Sequence, residues 1–293
     1  MNLQTSREVL EKARLRCETE PFLQPAGIEP HGLLIAFAGK DLRIRQLSAN
    51  AGPLLARSLD GLLDQPLQQL LSPTDMTTLS AALAAAEPPA PLALELSPCW
   101  QIDDAGPGCH AWLHRADGLW ILELEPRLLP PVALPDLYAR LHRAIQRLNA
   151  SVDLEALYQA LTGELRRLCG VDQVAVYRFD PSGHGTVVAE DRASHMPSYL
   201  DLRFPASDVP QQVRRHAMRH TARMMPDLAA EAVALVPAHN PLHGEPLDQA
   251  GCQLRGAHLR VRQYYRNMGV GSVLALSVVQ AGRLWGYVCA LHP

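Results

Sequence analysis

Four prolines, Pro126, Pro130, Pro131 and Pro135, crowd the segment Glu125–Leu137, and no other stretch limits the architecture of the chain as strongly. Proline has no backbone N–H and a fixed φ, so such a run continues neither a helix nor a central strand. It reads as a linker between two pieces of similar size, and 293 residues suffice to give each piece its own core. A second break, Ala84–Pro91, is rich in alanine and proline and reads as a loop within the first piece. An apolar fraction of 47% with 19% charged residues argues for a globular chain and against disorder. The net charge of −3, without a basic stripe, argues against nucleic acid as a partner. No apolar run approaches the length of a membrane span, and Met1–Glu8 lacks the apolar core of a signal peptide. The expectation is a cytoplasmic protein without a membrane partner.

In the first piece, Leu33–Phe37 and Leu42–Ser48 are short apolar-rich runs joined by Gly39-Lys40-Asp41, a hairpin signal. Short helices are expected around Ala49–Leu55 and Pro66–Leu71, then strands near Leu92–Leu96, His110–Arg115 and Leu119–Glu125. The second piece opens with two helical patterns. Leu137, Leu141, Ile145 and Leu148 share one face. After the capping residues Ser151 and Asp153, Leu154, Leu157, Leu161, Leu165 and Leu168 share another. Gln173–Phe179 alternates with period two and turns at Ser182-Gly183 towards Thr186–Glu190. Ser272–Gln280 and Arg283–Leu291 flank Ala281-Gly282, a two-residue hairpin turn. Composition and pattern together predict an α+β fold.

The six cysteines (Cys17, Cys99, Cys109, Cys169, Cys252 and Cys289) are scattered without a C-x-x-C pair, which speaks against a zinc ribbon or a disulfide framework. His216 and His220 are spaced i, i+4, but no Glu lies between them and no third ligand is evident, so no metal is expected. There is no G-x-S-x-G, no P-loop and no nucleophile–base pair, and the chain is not expected to be an enzyme.

Three motifs give a sharper reading. Phe204-Pro205-Ala206-Ser207-Asp208-Val209-Pro210 resembles the chromophore-pocket loop of phytochromes, the bilin-binding red-light receptors. Tyr264-Tyr265-Arg266-Asn267-Met268-Gly269-Val270 is similar to a second landmark of that family. Near the N-terminus, Cys17-Glu18-Thr19-Glu20-Pro21 and Ile28-Glu29-Pro30-His31-Gly32 resemble the segment where bacterial phytochromes attach biliverdin. The resemblance covers nearly the whole chain. It implies an N-terminal arm (1–16), a PAS domain (17–125), a linker (126–136) and a GAF domain (137–293), each domain an antiparallel sheet with helices. It also implies a figure-of-eight knot in which the arm passes through a loop of the GAF domain, a rare exception to the rule against threading.

The same resemblance implies a site. Cys17 is expected to carry biliverdin as a thioether, which needs a thiol held against an electrophile with enough thiolate to react. Asp208 matches the family residue whose backbone carbonyl accepts from the pyrrole N–H groups. Arg223 and Arg255 match propionate-binding arginines, whose forked donors suit carboxylates. Tyr177, Phe204 and Tyr264 match aromatic positions walling the D ring, and Ser272 is counted with the pocket. His31 matches a structural Pro-His-Gly turn. Against the family pattern, Val261 replaces the histidine that anchors the ring nitrogens, and Leu291 replaces the D-ring histidine. Ala217, Val273 and Ala275 stand where hydroxyl groups are usual. All five changes remove a polar group. His258, three residues before Val261 on a helix, points roughly 60° away and is a poor replacement.

Two expectations follow. The first is a bilin-binding photosensory input module with impaired or atypical photochemistry, working as a homodimer with a downstream output domain or partner. The second is a pigment-free PAS–GAF signalling and dimerisation module whose pocket is filled by the apolar set.

Overall fold

In the computed structural model, residues 27–84, 91–97, 108–127 and 133–293 are described. Cys17, the arm 1–16 and its threading lie outside them. The described residues form two compact units. One gathers residues from 23–131 together with Ala230–Leu259; the other gathers residues from 132–229 together with Arg260–Pro293.

The first unit is built on a seven-stranded sheet. Its strands are β1 (Gly27–Ile28), β2 (Leu33–Ala38), β3 (Arg43–Ser48), β4 (Leu92–Leu96), β5 (Cys109–Ala116), β6 (Leu119–Pro126) and β11 (Val233–Val236), in the order β1-β11-β3-β2-β6-β5-β4. The sequence pattern of strand pair, short helices and meander is present. The turn after β2 carries Gly39 at φ 85 and Leu42 at φ 49. Ala51–Leu55 forms helix α1 and Leu67–Gln69 a 3-10 turn. Helix α2 (Pro73–Ala84), which the sequence reading did not anticipate, follows; Ser72 caps it by accepting from Asp75 N at 3.1 Å.

Strand alternation divides this sheet into two unlike faces. On one, Leu33, Ile35, Phe37, Ile44, Leu47, Leu113, Leu122 and Leu124 pack with Leu67 and Leu79 into an apolar core. The opposite face holds Leu34, Ala36, Leu119 and Ile121, covered by Leu235, Leu247, Cys252 and Leu254 from the returning segment 230–259. That segment is mostly irregular, and buried irregular backbone needs hydrogen-bond partners. The sheet supplies them. Glu123, fully buried, accepts from Gln253 N (3.0 Å) and Leu254 N (2.6 Å). Glu29 accepts from Ala257 N at 2.9 Å, and Gln46 donates to the Pro237 carbonyl at 2.7 Å. His31 pairs with Glu125 at 3.3 Å, and Asn50 donates to the carbonyls of Pro30 and Gly32, which fits a structural turn.

The second unit carries a six-stranded antiparallel sheet, β10 (Ala222–Met225), β12 (Ser272–Gln280), β13 (Arg283–His292), β7 (Gln173–Phe179), β8 (Gly185–Arg192) and β9 (Arg203–Phe204), in that order. Helix α3 (Leu134–Asn149) precedes helix α4 (Leu154–Cys169). Asp153 caps α4, accepting from Ala156 N at 2.8 Å, and Gly170 ends it in the left-handed conformation. Tyr158, Leu161 and Leu165 pack on Val174, Val176, Ala189, Val288 and Ala290. The outer ends of the predicted faces differ from expectation. Leu154 is exposed, and so are Leu137, Leu141 and Ile145; in α3 only Ala144 is buried. The α3 stripe is therefore a surface feature of this unit rather than core. Ala281-Gly282 forms the β12–β13 turn with φ 49 and 69, both positive as a type I′ turn requires. Among the described residues no helix is long and apolar enough to cross a membrane.

Candidate functional site: an aromatic cluster around Asp208

One face of the six-stranded sheet packs against α4; the other presents the candidate site. Register defines that face as a grid. Tyr177, Tyr287 and Ser277 form one cross-strand row. Ala175, Cys289, Ala275 and Arg223 form the next, and Leu291, Val273 and Met225 the third. Arg223 thus lies level with Ala275, half-buried on β10. Ser272 pairs with His292 and alternation puts it on the opposite face from Val273, so the structure does not join it to this group.

Aromatic rings cover the first row. Tyr177 meets Phe179 edge-on at 5.1 Å and Phe204 at 5.7 Å, and Phe179 meets Tyr287 at 5.7 Å. The Tyr177 ring occupies the space over Gly185, where a Cβ would fall 1.7–2.1 Å from its ring atoms. Glycine is required there because the ring and the strand backbone approach so closely.

The loop Phe204–Pro210 contains the 3-10 turn Ala206–Asp208 and leads into helix α5 (Gln211–Ala217). Arg214 of that helix holds the loop. It donates to the carbonyls of Val209, Gly183 and Ala206, each at 2.7 Å, and its guanidinium sits 4.5 Å from the Phe179 ring centre. Nothing in the sequence distinguished Arg214 from its neighbour Arg215. The remaining wall is helix α6 (Leu259–Asn267), which brings Val261, Tyr264 and Tyr265, the last two in edge contact at 5.4 Å.

The electrostatics follow from a carboxylate set beside dry rings. Asp208 is exposed as a residue, yet loss of hydration beside its neighbours raises its carboxyl above the usual range, tempered by a hydrogen bond from the Tyr264 hydroxyl. Burial, then the Asp208 charge, pushes the Tyr177 phenol up to about 12. The same causes raise Tyr264, and burial raises Tyr265 and Tyr287. Burial pushes the Cys289 thiol up to about 12, so it is a neutral thiol at physiological pH.

The structure therefore brings together Asp208, Tyr177, Phe204 and Tyr264, with Phe179, Tyr287, Cys289 and Arg214 added to the expected set, while Arg223 sits one row away on β10 and Val261 lies on helix α6. The apolar replacements divide. Val273 and Leu291 are direct cross-strand partners only 2% and 3% exposed, and Ala217 is also buried, whereas Val261 and Ala275 are half-buried. Arg255 belongs to the other unit, where it is buried and forms a β-bridge with Ile28; burial lowers its pKa. His258 is half-buried in that unit. His216 and His220 stack at 4.4 Å.

Comparison with known proteins bears on the family and the fold. Residues 17–127 match the PAS fold model and residues 153–293 the GAF domain model. The chain is 36% identical over 270 residues to the phytochrome-like protein Cph1 of Synechocystis, covering 90% of this chain and 36% of that protein. It is 30% identical to the bacteriophytochrome of Pseudomonas aeruginosa, covering 94% and 37%. The chain thus spans little more than a third of the length of these curated relatives. The chromophore-binding domain of an unusual bacteriophytochrome from R. palustris superposes with a TM-score of 0.84 at 34% identity, covering 94% of this chain and 89% of that one. The corresponding domain of Stigmatella aurantiaca phytochrome P1 gives 0.82 at 32%, covering 94% and 90%. With both domain models matched in order and whole chromophore-binding domains reproduced in fold, the chain belongs to the phytochrome family as a PAS–GAF module of bacteriophytochrome type.

Proposed function

We propose that this chain is a non-catalytic photosensory input module that binds a biliverdin-type bilin through a thioether at Cys17, with impaired or atypical photochemistry. The observation that carries the reading is the ring cluster of Tyr177, Phe204 and Tyr264 gathered beside Asp208, on a loop that Arg214 fixes in place. A bilin, when bound, supplies the visible absorption and the double bond that isomerises in light. Flat aromatic walls and Asp208 fit such a group, and Arg223 offers a cation for a propionate. The third row does not fit the usual hydrogen-bonding pattern, because Val273 and Leu291 offer no donor or acceptor from their side chains. Each hydrogen bond missing from a buried polar ligand costs about 1–3 kcal/mol. Weak polar anchoring supports the atypical photochemistry: fewer side chains hold the ring nitrogens protonated or restrain the D ring. The exposed stripe of Leu134, Tyr138, Leu141 and Ile145 supports a homodimer through α3, which sedimentation of wild type against Leu141→Glu tests.

Absorption after incubation with biliverdin, then acid–urea denaturation, tests the pigment. A red band that survives as covalent pigment, and is lost in Cys17→Ser, is the expected outcome. A spectrum unchanged from free biliverdin refutes the reading. The depth at which Val273 and Leu291 are buried favours the second reading, a pigment-free signalling module with a closed pocket. Val261→His with Leu291→His separates the two. In a bilin protein the pair sharpens a far-red band; in a closed core it chiefly lowers the melting temperature, since it buries polar groups.

A further inference from the structure

The face of the seven-stranded sheet that the segment 230–259 covers carries a second constellation, made of residues other than those of the aromatic cluster. β5 and β6 pair so that His114 lies opposite Ile121 and Glu123 opposite Trp112. His114 and Glu123 are therefore diagonal neighbours on one face, within reach of each other. The returning segment adds Cys252. Gly251 makes this approach possible: a Cβ there would lie 3.2 Å from Cδ2 and 3.4 Å from Nε2 of His114. Cys252 Sγ lies 3.6 Å from His114 Nε2, and Glu123 Oε1 lies 3.7 Å from His114 Nδ1. One donor atom from each residue falls within 4.8 Å of the others, and exposures are 6%, 0% and 6% for His114, Glu123 and Cys252.

We propose that His114, Glu123 and Cys252 form a binding site for a thiophilic divalent cation of the zinc class, which clips the segment 230–259 to the sheet. Zinc sits about 2.3 Å from sulfur and about 2.0–2.1 Å from nitrogen in tetrahedral sites, so two such ligands lie roughly 3.5 Å apart. The Sγ–Nε2 separation already has that length. The carboxylate, 3.7 Å from Nδ1, joins them by side-chain rotation from a position within 4.8 Å, and a water completes four-coordination. Charge favours the same ion. A thiolate, a carboxylate and a neutral imidazole cancel a divalent charge, so the loaded site is neutral in a buried setting. A sulfur and an imidazole select zinc-like ions over calcium or magnesium, which take oxygen ligands. Glu123 is held in place by the Gln253 and Leu254 amides, as outer partners orient ligands in metal sites. Binding forms the metal–sulfur bond and releases the Cys252 thiol proton to solvent. No sequence signature exists, because the three residues come from two strands and a distant loop.

The test is titration of the full metal-depleted chain with cobalt(II), a spectroscopic stand-in, and then with zinc. The expected result is a near-ultraviolet thiolate-to-cobalt band that saturates at one equivalent and is displaced by zinc. The melting temperature of wild type should rise with zinc. Cys252→Ser should lose the band and the zinc response, Cys169→Ser should keep both, and Glu123→Gln should weaken cobalt affinity at least about tenfold. No band with wild type at stoichiometric cobalt, or the same band in Cys252→Ser, overturns the proposal. Should Cys252→Ser fail to fold, alkylation of wild type mapped by mass spectrometry decides. Zinc must slow labelling of Cys252 selectively, and equal labelling with and without zinc overturns the site.

Discussion

The two sheets handle the same problem in opposite ways. Each has one face sealed by regular packing and another that faces irregular chain. On the seven-stranded sheet that second face combines an apolar cluster with polar anchors: Glu123, Glu29 and Gln46 bond the backbone of the segment laid over it. On the six-stranded sheet it is aromatic and apolar, and Arg214 instead ties the loop Phe204–Pro210 to itself and to Gly183. The lesson concerns where stability is kept. A face that must hold a fixed segment places side chains that bond its backbone in the sheet, whereas the aromatic face leaves its covering loop to be tied by Arg214.

Breaking the polar anchors should cost most. Glu123→Ala strands the buried Leu254 amide and the part-buried Gln253 amide at about 1–3 kcal/mol each, so a loss of about 2–5 kcal/mol in urea unfolding is expected; a loss below about 1 kcal/mol would show that the segment is held otherwise. On the aromatic face, Gly185→Ala should cost about 1–3 kcal/mol by forcing Tyr177 aside, and should abolish any bilin absorbance. Arg214→Met should be milder for global stability, about 1–2 kcal/mol, while the 204–210 amides lose hydrogen-exchange protection out of proportion. The smallest effect is a pH dependence at Glu190. Burial alone would raise its carboxyl, but bonds from Ser198, Tyr199 N, Arg192 and Gln173 outweigh burial and hold it below the usual range. A lowered folded pKa contributes stability that is present above the ordinary glutamate pKa and is lost as pH falls through the folded value. Glu190→Gln should lower stability at neutral pH, leave it little changed at low pH, and so flatten the acid limb of the stability curve.

Local signals carried most of the architecture. Asp153 as a cap, Ala281-Gly282 as a turn and the alternation of Gln173–Phe179 each depend on neighbours in sequence, and each is found where expected. Helix α2 was missed because its Pro-Thr-Asp start and alanine-rich end resemble a loop in composition. Strand Val233–Val236 was missed for a deeper reason. It pairs with Gly27–Ile28 and with Leu47 and Ser48, and no local pattern encodes a partner that far away. The candidate site was legible through its motif residues. Arg214, Tyr287 and Cys289 were not, since their roles arise from register and loop closure rather than from spacing.

The excursion of Ala230–Leu259 has a consequence for handling and inheritance of the module. Among the described residues the chain passes between its two units not once but at three places, near 131, 229 and 259. A protease that cuts only the proline-rich linker leaves the halves covalently joined twice over. A gene fragment that begins after the linker would encode Val233–Val236 without the sheet it completes. The two units cannot be exchanged separately like ordinary tandem domains. They are one cassette, to be moved, expressed or lost whole.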